Sequence, residues 1–169
     1  MELWDAYDAR GRSLGHTLIR GEDVPAGEFH LVVDILVRHT DGSFLLTLRD
    51  PSKPAFPNCW ELSVGGAVIA GESPLQAAMR ELREETGIAA KTLCPAYQIT
   101  WPQNNSIYYG YVCRYAGSKD DIILQPGETA AYRWMTSREL LHFTDNPAFV
   151  AACRQRWGVY LNMLQEELS

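Results

Sequence analysis

Residues 66–88, GAVIAGESPLQAAMRELREETGI, contain the clearest helix signal in the chain. Ser73 suits the N-cap, Pro74 suits the first helical position, and Gln76 completes a Ser-x-x-Gln capping box. Gly87 is placed to end the helix in a left-handed conformation. The sequence therefore predicts a helix that begins after Ser73 and ends before Gly87, with a loop on either side.

The end of this predicted helix concentrates negative charge in Glu81, Glu84 and Glu85. At roughly 100° per residue, the three carboxylates lie on one arc of the helix surface. A separate, apolar arc consists of Leu75, Ala78, Met79 and Leu82. Like charges at these spacings are unfavourable, and negative charge near a helix C-terminus opposes the macrodipole. A bound divalent cation such as Mg²⁺, which prefers oxygen ligands, would offset both effects; an ordinary solvated helix face is the alternative.

The pattern G-x5-E-x7-R-E-U-x-E-E-x-G-U, in which U is apolar, is complete in this stretch. Its fixed positions are Gly66, Glu72, Arg80, Glu81, Leu82, Glu84, Glu85, Gly87 and Ile88. The chain therefore resembles the Nudix hydrolases. The resemblance implies an α/β/α sandwich with a mixed sheet and a loop–helix–loop catalytic motif. It also implies Mg²⁺-dependent (or Mn²⁺-dependent) cleavage of a diphosphate bond in a small molecule, such as a nucleoside diphosphate linked to another group.

The same resemblance implies a metal site at the glutamate end of the helix. Glu81, Glu84 and Glu85 match the metal-binding carboxylates of the family. The backbone carbonyl of Gly65 would be a further ligand.

Catalytic roles also follow from the resemblance. Arg80 matches an arginine that orients glutamates through a salt bridge; a simple ion pair on the helix surface is its alternative. The general base stays open among Glu81, Glu84 and a carboxylate of a later loop, for which Glu128 is the candidate. The alternative for Glu128 is a solvated loop acid.

Residues 29–88 are also similar to the isopentenyl-diphosphate isomerase branch of this superfamily, through FHLVVDILV and LRDPSKPAFPNCWELSVGG. Arg49 and Lys53 match residues that contact diphosphate there, so we expect them to bind the substrate, with a solvated surface role as the alternative. His30 matches a metal-binding histidine of that branch, although a histidine at the start of an apolar strand is often structural.

Two positions separate this chain from the isomerases. Gly65 stands where they carry a catalytic cysteine, and Ala67 stands where they carry a metal-binding histidine. Without the thiol, protonation and deprotonation of an allylic carbon lack a catalyst, and the complete glutamate motif favours hydrolysis. An isomerase-like enzyme and a non-catalytic nucleotide sensor are the competing hypotheses.

The rest of the sequence predicts one domain, residues 1–169, in which strands and helices mix without a regular βαβ alternation. Residues 1–20 predict a hairpin that turns near Gly11. FLLTLR, residues 44–49, is the expected antiparallel partner of the strand in residues 28–38, across a turn signal at Asp41-Gly42. WELSV and AVI are expected to form short strand pieces around Gly65 and Gly66, and Ser137 is expected to cap the helix in SRELLHF. Four aromatic residues could stack against a nucleobase, or they could be ordinary residues of the sheet: Trp101, Tyr108, Tyr109 and Tyr111.

Composition limits the partners and the compartment. The net charge of −6, from 21 acidic and 15 basic residues, disfavours binding to nucleic acid polymers. No apolar run is long enough to span a membrane, and the N-terminus lacks a signal-peptide pattern. The four cysteines are widely spaced and predict small buried thiols. We therefore expect a cytoplasmic protein that acts on a small molecule; homodimers are common in the resembling family.

Overall fold

The computed structural model describes residues 1–169, which form nine β-strands and four α-helices. The strands are β1 Leu3–Tyr7, β2 Ser13–Ile19, β3 His30–His39, β4 Phe44–Arg49, β5 Trp60–Glu61, β6 Ser63–Ala67, β7 Cys94–Trp101, β8 Ser106–Tyr115 and β9 Thr129–Met135. The helices are α1 Pro74–Thr86, α2 Ser137–Phe143, α3 Ala151–Arg156 and α4 Gly158–Glu167. None of these helices combines the length and apolar character that crossing a membrane requires.

Strand β3 lies in the middle of a seven-stranded mixed sheet, because both of its edges are occupied. Strand β8 pairs with it in parallel along its whole length, from His30 to His39. Strand β6 pairs with it antiparallel on the other edge, over residues 32–36 of β3. The expected pairing of β3 with β4 is limited to Arg38 and Phe44; the two strands then diverge, and β4 forms its long antiparallel ladder with β9.

Side chains of β3 alternate between two apolar cores, one on each face of the sheet. Val33 and Ile35 belong to the core that Leu82 of α1 completes. Leu36 points to the opposite face and joins a second core with Trp157, at the junction of α3 and α4. Helices therefore cover both faces of the sheet, which confirms the predicted α/β/α sandwich.

Helix α1 begins and ends as the sequence predicts. The Ser73 hydroxyl accepts a hydrogen bond from the Gln76 amide at 3.3 Å, and the Gln76 side chain accepts one from the Ser73 amide at 2.9 Å. Gly87 ends the helix at φ 75°, in the left-handed region that favours glycine. The expected apolar face is wrong at Leu75, which is 40% exposed; Ala77 takes the buried position in the first turns.

Other local predictions need correction. Gly65 and Gly66 lie inside β6 rather than between two strand pieces, because pairing with β3 continues through both residues. Thr136, not Ser137, caps α2, and its capping box uses Glu139. The four cysteines are free thiols, and their prediction as buried is right for two of them; the exposed one is Cys94.

A buried polar group fixes α3 to the central strand. Arg156 Nε and the Tyr97 hydroxyl each donate a hydrogen bond of 2.5 Å to the same oxygen of Asp34. The Arg156 guanidinium also lies over the Tyr108 ring, 4.2 Å from its centroid. Asp34 is the residue of β3 that pairs with Gly65 of β6, so this buried polar group lies next to Gly65 in the sheet.

The N-terminal hairpin of β1 and β2 forms as predicted and contacts the loop that follows β6. The Ala70 amide donates to the Leu3 carbonyl, and the Gly71 amide donates to the Asp5 carboxylate, both at 2.8 Å. The hairpin therefore lies against the loop that precedes α1, within the glutamate-containing motif of residues 66–88.

Candidate active site

A cavity of about 340 Å³ lies where β6, α1, the loop after β4 and the loop before β9 meet. All eight residues predicted from the sequence as site residues line it: Arg49, Lys53, Gly65, Arg80, Glu81, Glu84, Glu85 and Glu128. Six acidic and four basic side chains line this space, so acidic groups outnumber basic ones. A larger cavity of about 720 Å³ among α2, α3 and α4 contains none of the predicted residues.

Arg80 connects the loop before α1 to the glutamates of the helix. Its Nε and Nη2 atoms donate to the two carboxylate oxygens of Glu72, both at 2.9 Å. Its Nη1 atom donates to Glu81 at 2.6 Å and to Glu84 at 3.3 Å, and Nη2 also donates to the Ala67 carbonyl at 3.1 Å. Hydrogen bonds to Glu72 raise the pKa of Arg80, so the guanidinium stays charged and braces the loop against the helix.

The carboxylate of Glu81 lies against the strand at Gly66. A Cβ atom at position 66 would overlap the Glu81 carboxylate and would lie 2.6 Å from its carboxyl carbon. Burial raises the pKa of Glu81, and the neighbouring Glu84 and Glu128 carboxylates act in the same direction, although hydrogen bonding to Arg80 opposes them. A side chain at position 66 would therefore have to displace the Glu81 carboxylate from its present position.

Glu85 is the most buried carboxylate of the site, with 7% exposure. Burial raises its pKa well above the usual range, and the charges of Glu61, Glu81 and Glu128 raise it further. The backbone amide of Gly65 acts in the opposite direction and lowers the pKa. A carboxylate in this position is electrostatically unfavourable unless a cation joins it.

Arg49 and Lys53 form the basic side of the cavity. Arg49 Nη1 donates to Glu61 at 3.1 Å, and Arg49 Nε donates to the Ala55 carbonyl at 2.9 Å. Lys53 forms an ion pair with Glu128. The structure thus brings the basic residues and the later-loop carboxylate to the same cavity as the helix glutamates.

Oxygen donors predominate in the cavity, and they match the preference of Mg²⁺ and Mn²⁺. No three or more His, Cys, Asp or Glu side chains stand close enough together to hold a metal ion as they are arranged. In this arrangement Arg80 forms ion pairs with Glu81 and Glu84, and Lys53 forms one with Glu128. The donor types and the excess of acidic over basic groups fit a divalent cation, and the predicted ligand set stays a prediction.

Several cavity residues are absent from the sequence prediction, above all Glu61, Arg20 and Glu2. A signal for Glu61 exists, because a lone acid in the apolar strand WELSV is unusual. Arg20 and Glu2 carry no local signal. They reach the cavity because the hairpin ends there, and their side chains pair at 2.9 Å.

Two sets of sequence candidates lie elsewhere. His30 is buried, stacks on Trp4 with ring centroids 4.0 Å apart, and shares a 2.9 Å hydrogen bond with Ser106. Burial lowers its pKa to about 4, which suits a neutral core histidine. The aromatic set proposed for base stacking does not line the cavity: Trp101, Tyr108, Tyr109 and Tyr111. Their role in the sheet is the interpretation that the structure supports.

Glu61 makes the stability of the metal-free protein depend on pH. Burial raises the pKa of Glu61 to about 7, above the value near 4.5 of an exposed glutamate, so the folded protein holds this proton more tightly than the unfolded chain. The free energy of unfolding should therefore fall as pH rises from about 4.5 to about 7. Chemical denaturation with chelator across this range measures the slope, and Glu61→Gln should reduce it, while Glu81 and Glu85, whose pKa values are also raised, maintain the remainder. An unchanged slope in the variant would show that other groups cause the dependence.

The comparisons with known proteins agree with the fold and the cavity and give the class of enzyme, the Nudix hydrolases. The family model described as NUDIX domain matches residues 28–153, and the chain belongs to this family. It is 31% identical over 150 residues to an uncharacterised Nudix hydrolase of Listeria monocytogenes, with 89% of each chain covered.

Two further proteins are similar to the chain, one in structure and one in sequence. A crystal structure of a Deinococcus radiodurans protein matches with a TM-score of 0.71 and 26% identity, over 98% of each chain. An isopentenyl-diphosphate Δ-isomerase of Salmonella heidelberg is 32% identical over 112 residues, covering 62% of this chain and 61% of its own length. The chain is thus a Nudix hydrolase with relatives in the isomerase branch.

Proposed function

We propose that the protein is a Mg²⁺-dependent (or Mn²⁺-dependent) hydrolase that cleaves the diphosphate bond of a small molecule, such as a nucleoside diphosphate linked to another group. The proposal depends above all on the arrangement of charged residues in the cavity. A single cavity gathers the glutamates of α1 on one side and Arg49 with Lys53 on the other. Carboxylates that attract a divalent cation and basic groups that attract phosphate are the two requirements for phosphoanhydride cleavage.

In this proposal Glu81, Glu84 and Glu85 hold the metal, with the backbone carbonyl of Gly65. A bound divalent ion supplies Lewis-acid activation of the phosphate and lowers the pKa of a bound water. The excess of carboxylates over cations in the cavity supports this assignment, as does the unfavourable burial of Glu85. Hard oxygen ligands favour Mg²⁺ and Mn²⁺ over softer metals.

Arg80 is a positioning residue in this mechanism. Its contacts with Glu72 and Ala67 tie the loop to the helix, and its remaining contacts hold Glu81 and Glu84. These bonds restrict the carboxylates to the side of the helix that faces the cavity. Ordered ligands bind a cation with a smaller loss of side-chain entropy.

Proton transfer from the attacking water requires a carboxylate of the cavity. Glu81 and Glu84 on the helix and Glu128 on the facing loop are the three groups proposed for it. Lys53 pairs with Glu128 in the present arrangement. A substrate diphosphate that binds Lys53 and Arg49 would compete for that contact and would free Glu128 for the water.

Hydrolysis is favoured over isomerisation by the geometry at position 65. A Cβ atom there would overlap the Val33 carbonyl oxygen and would lie 2.9 Å from the Val33 carbonyl carbon. A catalytic cysteine therefore has no room at this position with the present backbone. Ala67 offers no imidazole, and His30 lies outside the cavity lining.

We further propose that residues 1–169 form a single Nudix domain, since the hairpin and the C-terminal helices both contact the central sandwich. The free cysteines agree with a cytoplasmic location. Homodimerisation is proposed only because homodimers are common in the family.

A substrate panel with and without metal tests the proposed function. Dinucleoside diphosphates, nucleotide sugars and prenyl diphosphates should include at least one compound that releases phosphate or nucleoside monophosphate with Mg²⁺ or Mn²⁺ and not with chelator. Tight binding without turnover would instead support a nucleotide sensor. Deuterium uptake from heavy water into isopentenyl diphosphate would support isomerisation, and no turnover of any compound would contradict the proposal.

A further inference from the structure

The loop between β4 and β5, residues 50–59, is held firmly at the cavity. Arg49 Nε donates to the Ala55 carbonyl at 2.9 Å, and the Asn58 amide donates to the Arg49 carbonyl at 3.3 Å. Pro54 and Pro57 restrict the backbone further, because each fixes its own φ. The loop that carries Lys53 into the cavity thus has a defined shape.

Phe56, in the middle of this loop, is unusual in conformation and in exposure. Its φ is 51°, and the other non-glycine residues with positive φ in the chain are both asparagines, Asn58 and Asn105. A bulky residue rarely adopts this conformation, and the following Pro57 restricts it toward an extended one. The residue is nevertheless 51% exposed and belongs to neither apolar core. Strain that no core packing explains is characteristic of ligand-binding positions.

The position of Phe56 relative to the cavity follows from the Arg49 contact. Arg49 lines the cavity, and the carbonyl oxygen of Ala55 is 2.9 Å from Arg49 Nε. The chain from that oxygen to the Phe56 Cα consists of three bonds, so the Cα lies within roughly 7 Å of the guanidinium nitrogen. The Phe56 Cα therefore lies close to Arg49 on the basic side of the cavity, just outside the residues that line it.

The interior of the cavity offers little apolar surface, because Ala67 and Ile69 are its only hydrophobic lining residues. Charged walls suit a diphosphate but give no stacking surface to a planar ring. A ring attached to the diphosphate must extend past the rim of the cavity. Phe56, on the loop of residues 50–59, provides an exposed aromatic side chain there.

We propose that Phe56 is a specificity-determining residue that stacks on a nucleobase attached to the substrate diphosphate. The inference rests on the proposed function for the place of the diphosphate, beside Arg49 and Lys53. An aromatic face stacks on any base, so this contact selects nucleotides over ring-free diphosphates without choosing among the bases.

Binding of two non-hydrolysable probes with Mg²⁺ tests the inference by titration calorimetry. One is the α,β-methylene analogue of ADP, and the other is methylenediphosphonate, which lacks the nucleoside. Phe56→Ala should weaken the nucleotide analogue roughly five- to hundred-fold, the range of a lost base–aromatic stack, and leave methylenediphosphonate within about two-fold. Phe56→Tyr, which keeps the ring, should bind both probes like the wild type. Met163→Ala, at an exposed apolar residue of α4, is the matched control and should change neither affinity.

Equal weakening of both probes by Phe56→Ala would show a collapsed loop and would overturn the inference, as would unchanged nucleotide affinity. The proposed function fails differently. If methylenediphosphonate does not bind the wild type while the nucleotide analogue binds and depends on the ring, Phe56 keeps its role and the assigned diphosphate position is wrong. If neither probe binds the wild type, both proposals fail.

Discussion

Glu85→Gln is expected to lower kcat by a factor on the order of 10²–10³ in saturating Mg²⁺, because metal catalysis supplies several kcal/mol. The same substitution should leave the metal-free protein at least as stable as the wild type. Glu85 is buried among like charges, and a neutral amide of the same shape removes that repulsion. Loss of activity together with retained stability separates a role at the reacting centre from a role in folding.

Steady-state kinetics and denaturant unfolding, the latter with chelator and again with Mg²⁺, measure the two effects. The stabilisation that Mg²⁺ gives the wild type should shrink in the variant, because one ligand is lost. Glu166→Gln, at an exposed position of α4, provides a control that changes charge by the same amount away from the cavity. Unchanged turnover in Glu85→Gln would remove this residue from the site.

Gly65→Ala is expected to have the largest effect on stability, a loss of about 3 kcal/mol in the free energy of unfolding. The added Cβ would overlap the Val33 carbonyl oxygen, which is a backbone atom of β3. Strand β3 is paired on both edges and cannot shift without breaking one of its ladders. The overlap therefore cannot be relieved without the loss of backbone hydrogen bonds.

Two other glycines test this explanation by urea unfolding. At Gly66 the added Cβ would meet the end of the flexible Glu81 side chain, so Gly66→Ala should lose much less stability. At Gly158, the first residue of α4, the Cβ would enter open space, so Gly158→Ala should be neutral or slightly stabilising. A midpoint for Gly65→Ala equal to that of the wild type would contradict the close approach of β6 to β3.

Features encoded over short sequence distances were predictable. Helix α1 follows from Ser73, Gln76 and Gly87, because a capping box and a left-handed glycine cap act within a few residues. The sandwich follows from the resemblance that the motif carries. The limited pairing of β3 with β4 was not predictable, because a turn signal at Asp41 and Gly42 fixes where strands reverse and not how far they stay together.

The candidate site shows the same limit. The helix glutamates and Arg80 are neighbours in sequence, so their common face could be inferred from helical spacing. Glu61 and Arg20 reach the cavity only through strand pairing and hairpin docking, which bring together residues far apart in the chain. Exposure of Leu75 was missed because periodicity places a residue on a helix face but does not locate the neighbouring sheet.

The buried contact between Asp34 and Arg156 has a consequence for the order in which the chain folds. The two residues are 122 positions apart, and Tyr97 is the other partner of the same carboxylate oxygen. A nascent chain that has already formed β3 would carry an inadequately compensated charge in its interior until α3 emerges and docks. We therefore expect a chain interrupted before α3 to be less stable than the full chain and more open to cellular proteolysis, because Asp34 would lack its Arg156 partner.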